Sequence, residues 1–203
     1  MHSDNASNGE IRNVTGVEAK LMQCGAVTRS LTACFRAGRP ILSVPPSVSS
    51  RTDLPKIEDC PVWKLGEDYP GFLQNYEVRW YGGKPFEKKT CTRFARLWLG
   101  IRGQNGNGAI CEKPLNVTPT LVALADMPPA IISLHYDQPI QSSSLTWFLK
   151  FVQPPDQVRM EWLYLEYELL AASEGYSQQN GTVFDQHGNL IVLSRQNMVY
   201  FEP

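Results

Sequence analysis

From Phe72 to Phe201 nearly every apolar run has the two-residue period of a β-strand, and only one stretch suits a helix. That stretch ends in TLVALADMPPA, Thr120 to Ala130. Thr118 can cap it, Pro119 can take the first helical position, and Pro128-Pro129 blocks its continuation. One helix among strands leaves an α+β arrangement, an antiparallel sheet that curls round a central helix. The helix should run for about ten residues and, being apolar nearly all the way round, should be buried. The predicted strands are Phe72–Tyr81 and Thr92–Arg102 on either side of Gly82-Gly83, then Ser143–Val152, Met160–Ala172, Gly175–Asp185 and Asn189–Phe201. Met160–Ala172 is rich in Glu and Leu and could be taken for a helix. The alternation of Leu163, Leu165, Tyr167 and Leu169 favours a strand.

Upstream the pattern changes. Residues 1–10 are polar and expected to be disordered, whereas Val14–Phe35 reads as two strands about a turn at Cys24-Gly25. Residues 36–70 carry Pro40, Pro45, Pro46, Pro55, Pro61 and Pro70, which remove backbone donors and block both helix and central strand. This stretch is either a linker or an irregular packed loop, since Trp63 and Leu65 could dock on a core. The linker reading divides the chain into residues 1–35, 36–70 and 71–203, and it implies that residues 70–203 alone are about as stable as the whole.

Several function classes are excluded at this level. Nineteen basic against twenty acidic residues leave a net charge of -1, so no global field draws the chain to nucleic acid or an anionic surface. Cys24, Cys34, Cys60, Cys91 and Cys111 are scattered and odd in number, which argues against both a metal site and a disulfide framework. No stretch of about 18 apolar residues suggests a membrane span, and the polar N-terminus does not resemble a signal peptide. The expectation is a reduced, cytoplasmic compartment, in which the sequons at Asn13 and Asn116 are chance matches.

Asp126 stands out, because a carboxylate in the last turn of an apolar helix faces the negative end of the helix dipole, at a cost of about 0.3–1 kcal/mol. Burial would raise its pKa further, which suits a general base that takes a proton from attacking water. The alternative is a solvated aspartate at a fraying helix end. In LIVLSRQNMVYF, strand alternation puts Gln196 on one face with Val192, Ser194 and Met198; there an amide could hold water beside a carboxylate. An edge-strand glutamine facing solvent is the other reading. His2, His135 and His187 are the only histidines and no G-x-S-x-G elbow is present, so a Ser-His-Asp hydrolase is improbable. Lys84, Lys88, Lys89 and Arg93 could meet phosphates or form a solvated hairpin tip.

Together LADMPPA, SSLTWFLKF, EWLYLEYE, SEGY and FDQHGNLIVLSRQ, in order over roughly residues 70–203, resemble the TesB-like acyl-CoA thioesterases, which are double-hotdog proteins. VEAKLMQCGAVTRSLTACFRA, with Gln23 before its turn, resembles the last strands of the family's first hotdog, whose earlier strands and helix have no counterpart before Val14. The resemblance implies a C-terminal hotdog with a partial second hotdog at the N-terminus, acting on an acyl-CoA substrate in lipid metabolism without metal or redox cofactor. It implies that Asp126 is the base and that Gln196 and a hydroxyl orient the water, with backbone amides holding the oxyanion. An ungapped match puts Gln141 at the hydroxyl position; alternation back from Trp147 selects Ser143, with Ser142 in reserve. The missing half also implies a homodimer with the site near the subunit boundary. Another reading is a non-catalytic acyl-binding or dimerising remnant. Hotdog hydratases and dehydratases use a histidine near the helix, which this chain lacks.

Overall fold

The computed structural model describes residues 14–35, 50–64, 66, 71–84, 91–103 and 116–201. The expected disordered decamer, most of the GQNGNG loop and Lys88-Lys89 lie outside them. The chain divides into two units, residues 1–44 and 45–203.

In the first unit, β1 (Thr15–Gln23) and β2 (Ala26–Phe35) form an antiparallel hairpin. Its turn is the expected one: Cys24 and Gly25 both have positive φ, 50° and 79°, the backbone that matches a tight hairpin to the twist of its strands.

In the second unit, the ambiguous Glu- and Leu-rich run is strand β6 (Leu163–Ser173). Leu163, Leu165, Tyr167 and Leu169 are buried on one face, and the period of two decides the element over the helical propensity of Glu and Leu. β6 is central in a six-stranded antiparallel sheet of order β3-β4-β6-β7-β8-β5. The other members are β3 (Tyr76–Gly82), β4 (Phe94–Ile101), β5 (Gln141–Phe151), β7 (Tyr176–Asp185) and β8 (Leu190–Phe201). Each expected strand is present, though the first begins late, because Gly71–Asn75 is a 3-10 turn and the in-out alternation starts only with Val78 and Trp80.

Helix α1 spans Val117–Ala125. It starts before the expected cap at Thr118: Asn116 is the N-cap, without a side-chain capping bond, and the Thr120 hydroxyl instead donates to the Asn116 carbonyl at 2.6 Å. Pro119 did not set the register because a proline is tolerated anywhere in the first turn, where amide hydrogens have no intrahelical partner. Nor is the helix buried all round. Leu121, Leu124 and Ala125 are buried while Pro119 and Ala123 are exposed, since one sheet covers one side. Each buried leucine contributes about 1.5–3 kcal/mol, more than a nine-residue helix could gain from its own propensity.

The inner face of the sheet meets α1 in a core that includes Val78, Leu97, Leu165, Tyr167 and Val192. Tyr167 lies over Gly181, its cross-strand partner; a Cβ there would come within 2.4 Å of the ring.

The outer face is also covered, by part of the proline-rich stretch 36–70. The described part of that stretch packs on the sheet. Cys60, with Leu54 and Ile57, joins Trp98, Tyr164 and Phe184 in a second apolar cluster, and the Trp98 indole donates to the Pro55 carbonyl at 3.1 Å. Arg51 bonds Gly188 through its backbone and reaches Glu166 at 3.4 Å, where Arg96 also binds at 2.6 Å. Val62 bridges to Arg79 and Trp63 packs edge-on against Trp80, 6.0 Å between centroids, so the segment also shields the β3 edge. Leu65 lies outside the described residues. In the described part of this segment a single 3-10 turn, Ile57–Asp59, stands among the prolines, and these did not exclude burial: six-stranded packing leaves an apolar stripe on the outer face, and the arm covers it. Among the described residues, no helix is long and apolar enough to cross a membrane.

Candidate active site

Asp126 is the C-cap of α1, where the helix gives way to Pro128-Pro129 and a 3-10 turn, Ile131–His135. Gln196 lies on β8 facing the core, 2% exposed. Seventy residues apart, their side chains meet: the Gln196 amide nitrogen donates to Asp126 Oδ1 at 2.7 Å. Asp126 is exposed as a residue, so its carboxylate opens to solvent on one side while the other faces the core. Loss of water on that side pushes its pKa up, and the Gln196 hydrogen bond partly offsets the rise. A carboxylate that holds its proton more tightly, yet remains reachable, has the character of a general base.

Tyr167, wholly buried on β6, braces the helix end. Its hydroxyl donates to the carbonyl of Ala125, the residue before Asp126. Burial pushes the phenol well above its ordinary value, with the Asp126 charge adding to the rise. It therefore stays a neutral donor. Ser194, on the same face of β8, accepts from the Trp147 indole at 2.9 Å.

Two of the four residues expected at the site are thus brought together, and two are not. Ser143 pairs with Val199, on the face away from Gln196, because a bulge between Ser144 and Thr146 reverses the alternation counted back from Trp147. Ser142 is on the face of Gln196 but pairs with Tyr200, four residues farther along β8, roughly 13 Å at the strand rise. Ser144, paired with Met198, is the β5 serine nearest Gln196 on that face. Of the basic cluster, Arg93 is engaged with Glu168 at 3.0 Å and with the Leu169 carbonyl, while Lys88 and Lys89 lie outside the described residues.

The sequence reading missed Gln179. It sits on β7 directly opposite Gln196, 1% exposed, and its amide nitrogen donates to Gln196 Oε1 at 2.7 Å. Its own Oε1 accepts the Ile131 N–H at 2.9 Å. The sequence signal was present but local: in SQQN alternation points one glutamine inward, and nothing short of the β7–β8 register says what it faces.

A structure of a conserved protein of unknown function with hot dog fold from Alicyclobacillus acidocaldarius matches with TM-score 0.80 at 22% identity, over 96% of this chain and 70% of that one. The acyl-CoA thioesterase II TesB2 of Mycobacterium marinum matches with TM-score 0.66 at 18% identity, over 96% and 71%. The tesB protein of Mycobacterium avium subs paratuberculosis matches with TM-score 0.70 at 13% identity, over 96% and 69%. At these identities the likeness shows the fold, which is the hotdog. No curated protein sequence matches the chain. Residues 51–200, which include the outer arm as well as the sheet and helix, match the acyl-CoA thioesterase C-terminal domain, and the chain belongs to that family.

Proposed function

We propose that the protein hydrolyses acyl-CoA thioesters, with Asp126 as general base and Gln196 orienting the attacking water. The observation that carries this reading is the 2.7 Å hydrogen bond from a buried Gln196 to a carboxylate whose pKa is raised, at the end of the hotdog helix. The water would sit between the Asp126 carboxylate and the second N–H of Gln196. Its oxygen bonds to the thioester carbon as its proton passes to Asp126. The tetrahedral intermediate then collapses with C–S cleavage, and the proton passes to the departing sulfur, leaving a free acid and coenzyme A.

Purified protein should release free thiol from at least one member of a series of acyl-CoA esters of graded chain length, followed with a thiol-reactive dye. Saturable binding with no thiol release from any ester would instead establish the acyl-binding remnant.

The second part of the proposal is a homodimer. The arm shields β3, whereas β5 is the last strand of the six-stranded order, and its Leu145 and Phe148 are 57% and 62% exposed. A long edge of this kind templates pairing with another chain. Light scattering during size exclusion should give twice the 22.8 kDa chain mass; a peak at the single mass would overturn the dimer.

A further inference from the structure

We infer that Gln179 is a positioning residue for the water site, holding the Gln196 amide with its nitrogen toward Asp126. The inference deepens the hydrolase reading and rests on it. Four groups form one line of hydrogen bonds: Ile131 N–H to Gln179, Gln179 to Gln196, and Gln196 to Asp126, at 2.9, 2.7 and 2.7 Å. The two ends fix the sense of the line. A backbone N–H can only donate and a carboxylate can only accept, so both amides between them are satisfied in a single orientation. Reversing either amide places oxygen against oxygen or nitrogen against nitrogen within the core.

Gln179 also ties the two sides of the site together. Ile131 begins the 3-10 turn that follows Asp126, and its amide hydrogen has no partner within that turn. By accepting it, Gln179 fastens the chain just beyond Asp126 to the strand beside Gln196. The base is on the helix exit and the water-orienting amide is on the sheet, so their separation depends on this fastening. An apolar side chain at position 179 would leave both the Ile131 donor and the Gln196 acceptor buried without partners, and Gln196 would be free to swing away from the carboxylate.

The test is a double-mutant cycle with Gln179→Met and Gln196→Met, the pH profile of hydrolysis being recorded for each. Gln179→Met should lower kcat about tenfold, the scale of one hydrogen bond in the transition state, with KM changed less than about twofold. Its acid limb should move to higher pH, because Asp126 loses a steady donor. Tyr167 is the neighbouring ionisable group that senses the Asp126 charge, and burial keeps it out of that range. In the Gln196→Met background the second substitution should change kcat less than about twofold, as expected when one residue acts through the other. Unchanged kcat and acid limb in Gln179→Met, or losses that multiply in the double variant, would overturn the inference. Should Gln179→Met fail to fold, side-chain amide NMR of the unsubstituted protein decides. The Gln196 and Gln179 NH2 signals should both shift with the ionisation of Asp126 and stop doing so in Asp126→Asn; a silent Gln179 would reject the inference. The NMR result is independent of turnover, so it separates this inference from a failure of the hydrolase reading.

Discussion

Asp126→Asn should lower kcat for acyl-CoA hydrolysis by about 10²-fold or more while leaving the fold intact. The substitution removes the base and little else. Asparagine Oδ1 can still accept from Gln196, so the line of hydrogen bonds from Ile131 survives. Stability should be the same or slightly higher, and the sign follows from linkage. Burial raises the Asp126 pKa in the folded protein, so the stability contributed by its protonated form is present at low pH and lost as pH rises through the folded value. At neutral pH the ionised aspartate is a cost that neutral asparagine avoids. The parent's activity should fall on acidification at a pH above the ordinary aspartate range. Steady-state kinetics with calorimetry on both proteins checks this, and a variant as fast as its parent would show that the base is elsewhere.

Residues 71–203 alone should be less stable than residues 45–203 by about 5 kcal/mol or more, with a Tm lower by about 10–20 °C. The difference lies in the arm. Its loss would bare Trp98, Tyr164 and Phe184 on the outer face, each about 1.5–3 kcal/mol when fully uncovered. The bond from the Trp98 indole to the Pro55 carbonyl and the Arg51–Glu166 contact would go as well, and the edge of β3 would be left unpaired. Calorimetry of the two fragments separates the possibilities: equal melting temperatures for residues 71–203 and 45–203 would support the linker reading. An insoluble shorter product, with the longer one well behaved, would agree with the arm as part of the fold.

The succession of strands and helix along the chain and the inward face of Gln196 were legible because each depends on residues close together in the sequence. Alternation of Leu163, Leu165 and Tyr167 identifies β6 whatever it pairs with, and Pro128-Pro129 ends a helix by local sterics. Asp126 was conspicuous for the same reason: a lone charge closing an apolar run. What lay beyond reach was every fact that depends on register between distant strands. Counting faces along β5 fails at the bulge before Thr146, which sends Ser143 outward, and no local pattern announces the extra residue. Gln179 reads as one polar residue among several until β7 lies beside β8 and sets it against Gln196. The proline-rich arm showed only that it could be neither helix nor central strand. Whether it stayed in solvent or packed depended on an apolar stripe on the outer face that exists only once β4, β6 and β7 are side by side. Local sterics and side-chain periodicity therefore determined the elements and the candidate base, while tertiary structure alone decided the partners. Pairing energies belong to residues far apart in the chain, and a shift of one position in register exchanges every partner and every face.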